Sequence, residues 1–207
     1  MSISVKICGI TNGDDAEAAI DAGCAAIGLN FVPTSARYID FQQAEIIIER
    51  IKSRVPVIGV FVNPVVQDVD AVIRVGLDYC QFHGSETAEF CDKFDHPYIK
   101  TAGVGANFSF DEFVALYSNA SGWLLDVEDG QLFGGTGRVF DWAQWPKNDE
   151  RNLILAGGLT VENVRQAIEV TGTKSVDVAS GVEVDGDKRS KDVTKMKLFI
   201  MEAQSAS

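Results

Sequence analysis

Apolar residues along the chain gather into short runs, rich in β-branched side chains, that recur at a steady spacing. Candidate strands cover residues 3–8, 25–31, 57–62, 77–82, 98–100, 123–127, 153–156 and 175–178. Most are continuously apolar, which suits a parallel sheet covered on both faces. Between them lie segments with helical spacing at 14–22, 41–52, 65–75, 86–94, 110–117, 161–170 and 191–203. Asp40 with Gln43 resembles a capping box, and Ser85, Ser109 and Thr160 precede three of the other helices. Only residues 140–145 look helical after the sixth strand, behind a glycine-rich stretch at 130–137. Eight strands in 207 residues allow about 26 residues per unit, enough for a strand, a helix and two short loops. Strict alternation leaves a closed (β/α)8 barrel or an open doubly wound sheet. The first strand is followed by no GxGxxG, which favours the barrel, a compact one of a single domain over residues 1–207. Residues 204–207 read as a loose tail.

Composition narrows the partners. With 46% hydrophobic and 23% charged residues the chain is a globular domain, not a disordered or collagen-like one. The nearly apolar stretch 55–62 contains Pro56 and Gly59 and is far shorter than the roughly 20 residues of a membrane span. Thirty acidic and 18 basic side chains give a net charge of −12, which repels nucleic acid and anionic membranes. An anionic small molecule would need local donors. The four cysteines form no CxxC pair and no basic-then-apolar leader opens the chain, so reduced thiols in the cytoplasm are expected. Cys80 and His83 are half of a zinc pattern without a second half, and read as a buried structural pair.

In a barrel of this kind chemistry sits at the C-terminal ends of the strands. The first strand ends in Cys8, where a thiolate can serve as base or nucleophile. Taken alone, a cysteine there fits a small buried hydrophobe better. Asp126 ends the sixth strand, as a catalytic acid or a structural ion-pair partner. The loop after it, with Gly134, Gly135 and Gly137, is either a ligand-covering loop or a surface turn. Gly157 and Gly158 follow the seventh strand, and Ser180 and Gly181 the eighth. That is where barrels bind phosphate, through backbone N–H groups and the N-terminus of a short extra helix. Arg37, in the loop after the second strand, is a solvated arginine or a carboxylate clamp. Lys188, Arg189 and Lys191 read as a solvated charge run with Asp185, Asp187 and Asp192.

In order, the chain carries KICGIT (6–11), the PxSxR loop (33–37), GVFVN (59–63), QFHG (81–84), LLD (124–126), GGTGRxFDW (134–142), AGGLTxENV (156–164) and DVASGVE (177–183). This set resembles the phosphoribosylanthranilate isomerase family along nearly the whole chain. The resemblance implies a cofactor-free Amadori rearrangement in tryptophan biosynthesis. Asp126 would be the general acid that opens the sugar ring, and Cys8 the general base at C2′. Arg37 would face the anthranilate carboxylate. Gly157, Gly158, Ser180 and Gly181 would cradle the phosphate, with Gln81, His83, Gly135 and Asp177 as further substrate contacts. The chemistry asks for a thiol shifted down and an acid shifted up. The partner is a phosphorylated small molecule, with no metal, nucleic acid or membrane, and the chain is a monomer or homodimer. Ala36 stands where the family commonly has proline, which loosens the chain before Arg37. Asn30 stands where an apolar residue is common. A histidine-pathway isomerase would show an aspartate on the first strand and a half-to-half repeat, and neither is present. A non-catalytic phosphate-binding barrel is the alternative of another class.

Overall fold

A computed structural model describes residues 2–105, 108–127, 142–146 and 149–206. Eight parallel strands close into a barrel in sequence order: β1 Ser4–Cys8, β2 Ala26–Asn30, β3 Val57–Phe61, β4 Tyr79–Phe82, β5 Tyr98–Val104, β6 Gly122–Val127, β7 Leu153–Leu155 and β8 Ser175–Val178. Helices lie between them: α1 Gly13–Asp21, α2 Phe41–Ile51, α3 Val66–Gly76, α4 Ala88–Asp92, α5 Phe110–Leu116, α6 Val164–Thr171 and α7 Val193–Ser205. Strand β8 returns to β1, pairing Lys6 with Asp177. The expected strands all form, within a few residues at each end. The doubly wound alternative is excluded by closure.

Period-two alternation along the strands divides the core. Ile58, Ile99, Leu124, Ile154 and Ala156 point inward and plug the barrel. Their neighbours, such as Val5, Ile7, Leu29, Phe61, Phe82 and Leu125, pack outward under the helices in a much larger apolar layer. One ion pair is sunk in that outer layer. Lys100 Nζ meets Glu86 Oε2 at 2.8 Å, and Glu86 also accepts from the backbone of Asn63 and Gly84. It fixes the loops after β3 and β4 at the barrel mouth.

Several helices start elsewhere than the sequence suggests. The Asp40–Gln43 capping box at α2 is present. By contrast α4 is capped by Thr87 rather than Ser85, because Glu86 is drawn into the ion pair. Asn163, not Thr160, precedes α6; its side chain accepts from Thr160 N and donates to Gly158 O, holding residues 160–163 in a turn. After β6 only a 3₁₀ turn, Trp142–Gln144, lies within the described residues. The expected loose tail is corrected. Helix α7 runs to Ser205, and the Gln204 amide bonds both N and O of Ile3, stitching the two ends together.

After β8 the chain makes a hairpin that the sequence pattern does not announce. Strands β9 (Glu183–Val184) and β10 (Asp187–Lys191) pair antiparallel. This hairpin occupies the place where a short extra helix was expected. The charge run is corrected with it, since Lys191 is buried and paired while Arg189 grips a neighbouring loop.

Candidate active site

Alternation on β1 turns Val5 and Ile7 outward, leaving Lys6 and Cys8 inward at the mouth. Room for Cys8 comes from Gly28 on β2, where a Cβ would lie 2.7 Å from the Cys8 sulfur. Lys6 Nζ lies 2.7 Å from Asp177 Oδ1 on β8, in a pair almost closed to solvent. Burial works against the charged lysine, but Asp177 and Cys8 outweigh it, and Lys6 is held above its ordinary range. Burial pushes the Cys8 thiol up, and the Asp177 charge adds to that; Lys6 and Lys191 pull the other way without cancelling it. The downward shift expected of the thiol is therefore absent from the unliganded protein.

Arg37 crosses the mouth beside Gly9, whose absent Cβ would fall 2.5 Å from Arg37 Cδ. Its Nε donates to Glu183 Oε1 at 2.5 Å and its Nη2 to Oε2 at 3.1 Å. Lys191 Nζ reaches Glu183 Oε1 at 3.3 Å and Ala179 O at 2.9 Å. Burial pushes the Lys191 ammonium down, and Glu183 resists that. The arginine is thus neither solvated nor loose.

Across the barrel, Gln81 and His83 on one edge face Asp126 on another. Gln81 Nε2 lies 3.2 Å from His83 Nδ1, and His83 Nε2 lies 3.5 Å from Asp126 Oδ2. The imidazole thus lies between the Gln81 amide and the Asp126 carboxyl. Gln81 Oε1 and Thr101 Oγ1 are buried with no hydrogen-bond partner among the described residues. The expected Cys80–His83 pairing is not found: Cys80 points outward into the layer under the helices, where burial pushes its thiol to about 12.

The glycine pairs meet each other. Gly157 and Gly158 have φ of 86° and 64°, a left-handed backbone that glycine adopts without a side-chain penalty. Thr160 bridges to Gly181 between the two loops. A Cβ on Gly181 would fall 2.0 Å from Leu159 O, so only glycine lets the loops close. Ser180 beside it is exposed. Gly135 lies outside the described residues. No three His, Cys, Asp or Glu side chains among the described residues are placed to hold a metal ion together.

The geometry is that of a barrel mouth with a thiol on β1, a carboxyl on β6 and glycine turns after β7 and β8. Residues 5–202 match the family model described as N-(5'phosphoribosyl)anthranilate (PRA) isomerase. The chain belongs to that family. It is 44% identical over 201 residues to the N-(5'-phosphoribosyl)anthranilate isomerase of Nitrosospira multiformis, covering 97% of this chain and 96% of that protein. The Nitrosomonas europaea isomerase is 42% identical over 206 residues, covering 99% and 97%. Among solved structures, the Thermotoga maritima phosphoribosyl anthranilate isomerase superposes with a TM-score of 0.87 at 36% identity, covering 98% of this chain and 99% of that one. A structure of a phosphoribosyl anthranilate isomerase in complex with reduced 1-(o-carboxyphenylamino)-1-deoxyribulose 5-phosphate gives 0.81 at 34% identity, with the same coverage.

For a phosphoribosylanthranilate isomerase the site holds groups that sequence reading passed over. Lys6 was legible, since a lysine inside an apolar strand, two residues before Cys8, must share its face. Glu183 ends the DVASGVE motif but carried no sign of its partner. Arg189 and Lys191 looked like surface charge because the hairpin that buries Lys191 and lays the exposed Arg189 against the loop after β2 has no apolar pattern.

Proposed function

We infer that this barrel mouth converts N-(5-phosphoribosyl)anthranilate to 1-(2-carboxyphenylamino)-1-deoxyribulose 5-phosphate, with Asp126 as general acid and Cys8 as general base. The observation that carries it is the placement of these two groups on inward faces of β6 and β1, with the glycine cup on the strands between them. Asp126 gives its proton to the furanose ring oxygen; the C1′–O bond breaks and a Schiff base forms to the anthranilate nitrogen. His83 Nε2 faces the carboxylate this leaves behind. Cys8 then removes the C2′ proton, the electron pair moves to C1′–C2′, and the enolamine tautomerises to the ketone.

The raised thiol fits this order of events. Asp177 opposes the thiolate, whereas Lys6 favours it. Sugar hydroxyls donating to Asp177 spread its charge, leaving the Lys6 ammonium to stabilise the thiolate once substrate is in place. Gly157, Gly158, Ser180 and Gly181 receive the phosphate through backbone and hydroxyl donors, which suits a chain of net charge −12. Arg37 offers the substrate carboxylate its Nη1–Nη2 edge, the other edge being held by Glu183. The reaction uses no cofactor in this account, and among the described residues no helix is long and apolar enough to cross a membrane.

The test is turnover by the purified chain. Freshly generated N-(5-phosphoribosyl)anthranilate is expected to lose its fluorescence far faster than by spontaneous hydrolysis, yielding a phosphorylated ketose. Loss at the spontaneous rate with a folded protein would overturn the reading.

A further inference from the structure

The hairpin after β8 holds Arg37 both by its side chain and by the backbone around it. From inside, the Glu183 carboxylate takes the Nε and Nη2 hydrogens and is itself backed by buried Lys191. From outside, the Arg189 guanidinium donates from Nη1 to both Ala36 O and Tyr38 O, each at 3.0 Å, clasping the backbone on either side of residue 37. Two more bonds anchor the hairpin to the first strand–helix unit: Thr11 Oγ1, on the loop after β1, donates to Arg189 O at 2.5 Å, and Lys191 N donates to Asp15 Oδ2, in the first turn of α1, at 2.9 Å. Gly9, on that same first loop, lies against the Arg37 side chain. Three loops are therefore tied at one point, and the arginine is at its centre.

We propose that the β9–β10 hairpin is a positioning element for Arg37, in which Glu183 and Lys191 aim the guanidinium and Arg189 fixes the backbone that carries it. The physical reason lies in the shape of the group. A guanidinium on a mobile loop must lose both loop and rotamer freedom when it grips a carboxylate. Here Glu183 occupies one edge and so commits the remaining Nη1–Nη2 edge before any ligand arrives. Ala36 leaves the backbone before Arg37 less restricted than a proline would, and two carbonyl clasps from Arg189 supply the restraint instead. Lys191 keeps the Glu183 carboxylate from being an uncompensated buried charge when the arginine turns toward a substrate. Arg189 and Lys191 are thereby specificity-determining through Arg37, touching no substrate themselves.

This inference rests on the reading that Arg37 meets the aromatic carboxylate, and the experiment separates the two. The probes are reduced 1-(2-carboxyphenylamino)-1-deoxyribulose 5-phosphate and the same compound made from aniline, which lacks only the carboxylate. The unaltered chain is expected to prefer the first, and Arg37→Ala to lose that preference. Arg189→Ala, at an exposed position, is expected to bind the carboxylated compound roughly three- to tenfold more weakly and the aniline compound equally well. Its KM should rise by a similar factor with kcat changed less than about twofold, and Arg189→Lys should recover part of the loss. Equal weakening of both compounds, or no change in either, would overturn the role of the hairpin. Equal binding of both compounds by the unaltered chain would instead overturn the reading of Arg37.

Discussion

At the scale of single residues, the Cys8 thiol is set by its burial and by two neighbours of opposite sign. Burial and Asp177 push it above the ordinary thiol range, and Lys6 opposes them. Removing the carboxylate by Asp177→Asn takes away one cause of the upward shift and frees the Lys6 ammonium from its 2.7 Å partner. Both changes favour the thiolate. The Cys8 titration should therefore move to lower pH, read as the pH dependence of alkylation at Cys8 by iodoacetamide with peptide mass mapping. A midpoint unchanged or raised in Asp177→Asn would show that this carboxylate does not control the thiol. Mapping by peptide is required because Cys24, Cys80 and Cys91 are also free, although burial pushes the first to about 11 and the other two to about 12.

Elements carry the next level, where loops after neighbouring strands become one cup. Gly181 is the point of closest approach, since its Cβ position lies 2.0 Å from the Leu159 carbonyl. Gly181→Ala must push the loops after β7 and β8 apart, at a cost of roughly 1–3 kcal/mol in urea unfolding. It should also weaken the phosphorylated product analogue, measured by titration calorimetry, while Gly172→Ala at the far end of α6, with open space around it, leaves that affinity intact. Affinity preserved in a destabilised Gly181→Ala would place the phosphate elsewhere. The strands and the glycine pairs were legible in the sequence because apolar runs and adjacent glycines report on backbone needs that are local. The α4 and α6 starts were not. Glu86 is recruited by Lys100 on β5, a competitor that a local capping pattern cannot register, and Asn163 folds back onto Thr160 and Gly158 of its own loop, so the helix begins three residues later than the Thr160 signal. The hairpin was hidden too, as residues 183–191 are charged and pair only through their backbone and buried ends.

For the whole molecule, the problem is to hold an anion inside a body of net charge −12. The structure solves it locally. Lys6, Arg37 and Lys191 converge on the mouth, shared between two carboxylates, Asp177 and Glu183, while the phosphate site we propose uses the glycine turns after β7 and β8 in place of a basic patch. The fold alone admits many chemistries. In the function we propose, the chemistry rests on the pair Cys8 and Asp126, on β1 and β6. The most direct measurement is steady-state turnover of N-(5-phosphoribosyl)anthranilate by Cys8→Ala and Asp126→Asn beside the unaltered chain, with circular dichroism confirming that all three are folded. Each substitution is expected to lower kcat by about 10²–10⁴ with much smaller changes in KM. A folded variant of either residue that kept most of its kcat would contradict the assignment of acid and base.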